Sequence, residues 1–541
     1  MSKKIGSRLL NTNDNGFQHS TMAKRKRDNT ESVGTATSTK AKKEGAASTP
    51  RHAAATEEVA VRTSKSREGA AKGKATATRS EVEVENGHVP PATMTTTIQV
   101  ITGSYERVLH GFAAAIPRSL ITGPDNASTP EADKAKLDFT DTFLFNAHSS
   151  SIRCLAVSPL SDETSKITLA TGSTDERINL YSISTTPPVA SKLRPKLPSL
   201  HGASITENPK NKELGSLLHH SSNITALYFP TRSKLLSSAE DSTIAITRTR
   251  DWTALSTIKA PIPKPQGRPS GDTAGPGEVP SGINDFALHP SMKLMLSVGK
   301  GEKCMRLWNL VTGKKAGVLN FGRDILTAVG EGRFASGEGR RVVWDKEGEE
   351  FAVGFERGIV VFNIDSKPKA KIAPNPRTKI HQMHYLPSES HPAILLLSTE
   401  DGRVLLYDTR TTVPNEGAEK NKDEVPTSSL VAQIGGPAAG ISGRVKDFEV
   451  VSVTGATFLI ITGSSDGMVR FWSLDVGELK SDDAGKAEGF TALQVGKLLG
   501  SYTTGTRITC LKAFTMTGKP EEEEEQVVEK EIASSSEDES E

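Results

Sequence analysis

Four short strings in this 541-residue chain put chemically useful residues at chemically useful spacings. Gly463–Ser464–Ser465–Asp466–Gly467 has the G-x-S-x-G form of a nucleophile elbow. That device needs a strand, a sharp turn and then a helix, so that the serine stands exposed above a sheet. Here the residues after Gly467 alternate, Met468–Val469–Arg470–Phe471–Trp472–Ser473–Leu474, which predicts a strand. Gly330, Gly332 and Ala335 fit the G-x-G-x-x-A spacing of a dinucleotide loop, but no helical pattern follows to offer its N-terminus to a pyrophosphate. His381 and His384 lie three apart on an expected strand, so strict alternation sends them to opposite faces and they cannot chelate one metal. His219–His220 precedes an apolar run and reads as containing a structural histidine. The expectation is a protein that is not an enzyme, with no cofactor and no metal.

Asp175, Asp241, Asp401 and Asp466 offer a last chemical reading, a ring of carboxylates for a metal or substrate. Their context favours architecture. Each is followed six positions later by an aromatic or a replacement for one, and the same spacing recurs seven times: Glu106/Phe112, Asp175/Tyr181, Asp241/Thr247, Glu302/Trp308, Glu356/Phe362, Asp401/Tyr407 and Asp466/Trp472. An apolar run precedes each acid and an alternating run follows it. Each acid therefore marks a tight turn between two antiparallel strands. A third run leads most hairpins, as in Ile152–Arg153–Cys154–Leu155, Ile224–Thr225–Ala226–Leu227 and Ile380–His381–Gln382–Met383. In the fifth unit it is blurred, near Val342–Val343–Trp344. A fourth strand fits before several of these. Four strands repeated seven times predict an all-β, seven-bladed β-propeller over residues 95–515. The leading run Ile508–Leu511 has no hairpin after it, and the hairpin 98–114 has no leading run. Together they make one blade, 508–514 closing against 98–114, which removes two sheet edges.

This core is long, about 60 residues per repeat against the usual 40–45. The excess falls in insertions near 116–137, 185–212, 259–282, 411–428 and 476–492. The stretch 259–282 holds six prolines and reads as a loop.

Charge is uneven. Residues 1–94 hold 17 Lys/Arg against 10 Asp/Glu, and residues 516–541 hold two against 11, although the whole chain carries only +2. Both segments lack the apolar content to offset chain entropy and are expected to be disordered. The head contains Lys24–Arg25–Lys26–Arg27, a cluster suited to an import receptor or to nucleic-acid phosphates. In the acidic tail Ser534, Ser535, Ser536 and Ser540 stand among acids, where an acid-directed kinase would act. No apolar run reaches the 18 residues of a membrane helix, so no membrane partner is expected. The N-terminus has no signal-like apolar segment, and three cysteines cannot form a disulfide framework. The expected setting is intracellular and reducing.

The repeat resembles the WD40 repeat: His148 and His220 before the leading strand, an acid in the turn, and an aromatic at the Trp position. It also departs from it. Trp–Asp never occurs there, with Tyr407–Asp408 the nearest form; Thr247 replaces an aromatic, and Glu302 and Glu356 replace Asp. The His–Asp bond is expected to be missing from several blades. A narrower resemblance lies in Ile101–Thr102–Gly103–Ser104–Tyr105–Glu106–Arg107–Val108–Leu109–His110–Gly111–Phe112, in Leu288–His289–Pro290 with Arg306–Leu307–Trp308–Asn309–Leu310, and in Arg444–Val445–Lys446–Asp447. With the basic-head, acidic-tail plan, these are similar to the propeller family of the fungal ribosome-assembly factor Mak11 and the animal p21-activated-kinase-interacting proteins. The resemblance implies a nucleolar scaffold that joins pre-60S particles, with assembly factors, ribosomal proteins and pre-rRNA as partners. It also implies an alternative, a negative regulator that binds a p21-activated-type kinase. Arg444 and Lys446, read as inter-blade loop residues, are the candidate docking positions.

Overall fold

The turn acids set the local geometry. Asp175 Oδ1 accepts the N–H of Arg177 (3.2 Å), Asp241 Oδ1 that of Thr243 (2.9 Å) and Asp466 Oδ1 that of Met468 (3.0 Å). The residue after each acid is left-handed: Glu176 at φ 68°, Ser242 at 62° and Gly467 at 82°. The side-chain bond replaces a backbone one and lets the chain reverse within two residues. At Gly467 space matters as well, since a Cβ there would stand 2.8 Å from the Thr506 carbonyl oxygen.

The computed structural model describes residues 95–122, 136–161, 164–188, 208, 210–261, 282–332, 335–413, 425–480 and 489–517, all within the unit Gly87–Glu541. Among these residues the strands fall into seven four-stranded antiparallel units. The inner strands of blades 1 to 7 are Ile508–Thr515, Ile152–Val157, Ile224–Thr231, Ile283–Leu288, Arg341–Trp344, Ile380–Tyr385 and Val445–Ser452. In blades 2 to 7 the other three strands follow in sequence and step outward. Blade 1 takes its inner strand from the far end of the chain. Ile508–Thr515 pairs with Thr95–Ser104 in register from Ile98↔Thr515 to Gly103↔Cys510, and Val108–Pro117 and Asp138–Asn146 complete the sheet. Blades 5 and 6 are joined at their outer edges by one parallel pair, Lys371 and Thr427.

The inner strands neighbour one another in a closed ring, which makes the fold an all-β propeller. Like ends meet around it: Thr509 Oγ1 donates to the Ile152 carbonyl (2.7 Å), and Asp447 Oδ2 accepts the Leu511 N–H (2.8 Å). The apolar cores lie between adjacent blades. Ile98, Val100, Phe112, Leu459, Ile461 and Phe471 form one of them, between blades 1 and 7. Each sheet therefore buries both faces, which explains the continuous apolar second strands such as Phe458–Ile461.

Two irregularities recur. In every blade the pairing of the third and fourth strands slips just before the repeat's aromatic position, at Phe112, Tyr181, Thr247, Trp308, Phe362, Tyr407 and Trp472. In six blades the inner strand bulges at its second residue: Arg153, Thr225, Asn284, His381, Lys446 and Thr509. Blade 5, whose leading run is blurred in the sequence, has no such bulge. A bulge re-aims a side chain. It also overturns the expected opposition of His381 and His384. Both now contact the strand Val445–Ser452, His381 through Lys446 and His384 with its ring 4.9 Å from that of Phe448.

The insertions are smaller than expected in one place: the strands Arg403–Val413 and Thr427–Gly435 run into the stretch 411–428. A short helix, Arg323–Ala328, precedes Gly330, and among the described residues the next element is the strand Arg341–Trp344, so the dinucleotide pattern has no helix N-terminus at its end. Among the described residues no helix is long and apolar enough to cross a membrane.

Candidate interaction site at one mouth of the channel

The repeat acids divide into two kinds. In blade 2 His148 lies with Nδ1 3.1 Å from Asp175 and Nε2 2.7 Å from the Thr171 hydroxyl, while Asp175 also accepts the Ser149 N–H (3.0 Å). Blade 3 repeats this with His220, Asp241 (3.1 Å) and Ser237 (2.8 Å). Burial works against the Asp241 carboxylate, but hydrogen bonds from His220 and Thr243 prevail and hold its pKa down at about 2. Burial lowers that of His148 and keeps the ring neutral.

The other acids find arginines. Glu302 pairs with Arg306, Nη2 to Oε1 at 2.6 Å, and both are buried. Asp401 binds Arg403 through Nη2 (2.7 Å) and Nε (3.0 Å). Arg403 is fully buried and also donates to the carbonyls of Asn375 (3.1 Å) and Gly489 (3.2 Å), with the Phe490 ring 4.8 Å away. Asp466 meets Arg470 at 3.3 Å. Glu356 lies 3.5 Å from Lys379, and exposed Glu106 accepts the Arg507 N–H (2.9 Å) across the ring closure. Trp308 donates to the Ser297 hydroxyl (2.8 Å) and, like Trp472, packs in the core. The turn acids thus bond histidines in two blades and arginines in three, several of them accepting backbone N–H groups as well. The missed signal is an arginine two or four places after the acid, at Arg306, Arg403 and Arg470.

Sequence reading also missed a buried trio. His110 Nε2 lies 2.7 Å from Asp141 Oδ1, and the Tyr502 hydroxyl donates to the same oxygen. Burial first, then the Asp141 carboxylate, drives the Tyr502 phenol well above its ordinary range. The order of groups resembles a catalytic relay, but His110 and Asp141 are each only 1% exposed. The trio clamps blade 1 to the outer strand of blade 7. Among the described residues no group of acids, histidines and cysteines is arranged to hold a metal.

A channel of about 720 Å³ runs inside the ring, lined from all seven inner strands. Its two ends differ. Where the inner strands finish, Leu160 and Met292 are exposed beside Pro159 and Pro290. Where they start, cations gather. Arg444 precedes its strand and pairs with Glu400 (3.2 Å). Lys446 is no loop residue: it is the bulged second residue of the inner strand, and its Nζ donates to His381 Nε2 (3.1 Å). Arg341 reaches the His381 carbonyl (3.2 Å). Burial, then Lys446, Lys379, Arg341 and Arg444, press the His381 pKa down to about 3, so the ring adds no charge. Among the described residues Lys446, Arg153 and Arg507 have no carboxylate within ion-pair distance.

The family described as "WD domain, G-beta repeat" matches residues 139–182 and 211–247. These stretches hold the two His–Asp blades. A "p21-activated protein kinase-interacting protein 1-like" of Xenopus laevis is 25% identical over 79% of this chain and 84% of its own length. "Protein MAK11" of Saccharomyces cerevisiae is 28% identical over 70% and 78%. "Shk1 kinase-binding protein 15" of Schizosaccharomyces pombe is 29% identical over 23% and 33%. The chain carries WD40 repeats and is similar over most of its length to these relatives. Within a WD40 propeller the matched blades are those that keep the His–Asp bond, and the blades built on acid–arginine pairs fall outside the match. Lys24–Arg27 and Ser534, Ser535, Ser536 and Ser540 lie outside the described residues.

Proposed function

We propose that this protein is a non-catalytic scaffold of the nucleolus that joins pre-60S particles and supports large-subunit assembly and rRNA maturation. The observation that carries the reading is similarity to Protein MAK11 across most of the propeller. The fold supports it, since a closed ring of blades presents two rigid faces while its polar clusters are buried. In this reading assembly factors and ribosomal proteins dock at the mouth that bears Arg444 and Lys446. Lys24–Arg27 drives nuclear import and gives the head a weaker, salt-sensitive attraction for pre-rRNA. The serines near the C-terminus tune the acidic tail by phosphorylation.

A sucrose gradient tests this. A chain lacking 1–94 but given an independent import signal retains most pre-60S association at 150 mM salt, whereas Arg444→Glu with Lys446→Glu loses it. Complete loss on head deletion would remove the propeller as the anchor. The kinase-related names of several relatives favour a second reading, a regulator that restrains a p21-activated-type kinase. That reading takes precedence if the full chain never enters pre-60S fractions yet co-purifies with such a kinase.

A further inference from the structure

Three cations at the strand-start mouth have no carboxylate within ion-pair distance among the described residues, and an aromatic ring stands beside one of them. Arg153 is exposed, and Lys446 is turned inward by its bulge. Arg507 directly precedes the blade 1 inner strand, and its guanidinium lies 5.6 Å from the centroid of Tyr105, whose side chain is 60% exposed. The two are fixed together, because the Tyr105 N–H donates to the Arg507 carbonyl (2.9 Å). Glu400 pairs with Arg444, Glu356 with Lys379 and Arg340, and Glu106 accepts the Arg507 N–H. His381 is an acceptor for Lys446.

We infer that this mouth binds single-stranded RNA, with phosphates on Arg153, Lys446 and Arg507 and a base stacked on Tyr105. Arginine forks match phosphate oxygens two at a time. An exposed ring beside cations is the arrangement that single strands use, because every base has a π-face. A duplex keeps its bases stacked inside and cannot use Tyr105 in that way. An acidic peptide would satisfy the cations but has no use for the ring. The inference deepens the scaffold reading and rests on it for the presence of RNA, but the site stands on its own geometry.

The test uses the full chain with Lys24–Arg27 replaced by Ala, so that the head does not mask the mouth. Binding of a fluorescein-labelled 12-nucleotide oligo(U) is read by anisotropy against salt, with a poly-glutamate peptide as the second probe. Arg153→Gln, Lys446→Gln and Arg507→Gln together weaken oligo(U) binding at least tenfold and reduce the slope of log K against log salt by about 2. Tyr105→Ala weakens oligo(U) severalfold and leaves poly-glutamate binding unchanged. Should the triple variant melt early, Arg153→Gln with Arg507→Gln, both exposed, replaces it. Unchanged oligo(U) binding in these variants overturns the inference. So does poly-glutamate binding as tight as oligo(U) with no response to Tyr105→Ala, which would make the mouth a peptide site. The two readings fail separately: a variant that loses oligo(U) yet sediments with pre-60S particles keeps the scaffold role, and a parent that binds oligo(U) but never enters the particles keeps the site and loses the role.

Discussion

Blades 2 and 3 and blades 4, 6 and 7 solve one problem in two ways. A tight turn leaves backbone donors and an acid near the rim of the sheet, and the acid must be held. In blades 2 and 3 a histidine from the preceding loop holds it, tying that loop to a hydroxyl on the second strand. In blades 4, 6 and 7 an arginine from the third strand does so. The histidine version links segments distant in sequence. The arginine version is local and carries full charge, and in blade 6 it has grown into a buried node that reaches two further segments. The same fold therefore tolerates loss of the motif by which its family is recognised, provided the turn acid still has a partner.

The largest way to break the comparison is at Arg403. Arg403→Ala removes the guanidinium partner of the Asp401 carboxylate and the bonds donated to the Asn375 and Gly489 carbonyls, and costs about 3–5 kcal/mol in urea unfolding. Asp401→Asn with Arg403→Met recovers part of that loss; a cost below about 1 kcal/mol for Arg403→Ala would show that the arginine node is no substitute for the histidine. His148→Ala and His220→Ala come next, each costing about 1–3 kcal/mol because buried partners lose their bonds.

Acidification sharpens the contrast. His148 is kept neutral by burial, so below pH 6.5 the unfolded chain takes up a proton that the folded ring resists, and stability falls as pH drops. Asp241, held at about 2, adds stability that is full above its ordinary 3.8 and is lost as pH falls through 2. His381 and His384, both pressed by burial to about 3, contribute to the same acid slope. His148→Gln therefore flattens the fall in melting temperature between pH 6.5 and 5, whereas Arg306→Met shifts the curve and leaves its slope alone. The smallest effect belongs to Trp308→Phe. It keeps the ring in the core and removes one donor to Ser297, so calorimetry should read about 1 kcal/mol.

The spacing of acids and aromatics made the hairpins legible, because turn chemistry and strand alternation are local. The pairing of the strand near 508 with the first hairpin was also legible, since an unpaired leading run and an orphan hairpin must meet. The partners of the acids were harder. Arg306 and Arg470 sit four residues on, across a turn whose exact geometry decides whether they meet, while the partners of Arg403 include Asn375 and Gly489, far away in the chain. Arg444 was placed correctly ahead of its strand, whereas Lys446, read as a loop residue, lies inside it.

By itself, the sequence determined an all-β repeat with acid-marked turns, a paired first and last element and a charge-polarised plan, since each follows from local propensity, periodicity or composition. Tertiary structure alone decided which acids take histidine and which take arginine, that His110, Asp141 and Tyr502 meet across two blades, and that the bulged residues Arg153 and Lys446 line one channel. The physical reason is register. A one-residue slip in strand pairing reverses where every later side chain points, and register is settled by contacts between strands that neither strand encodes alone.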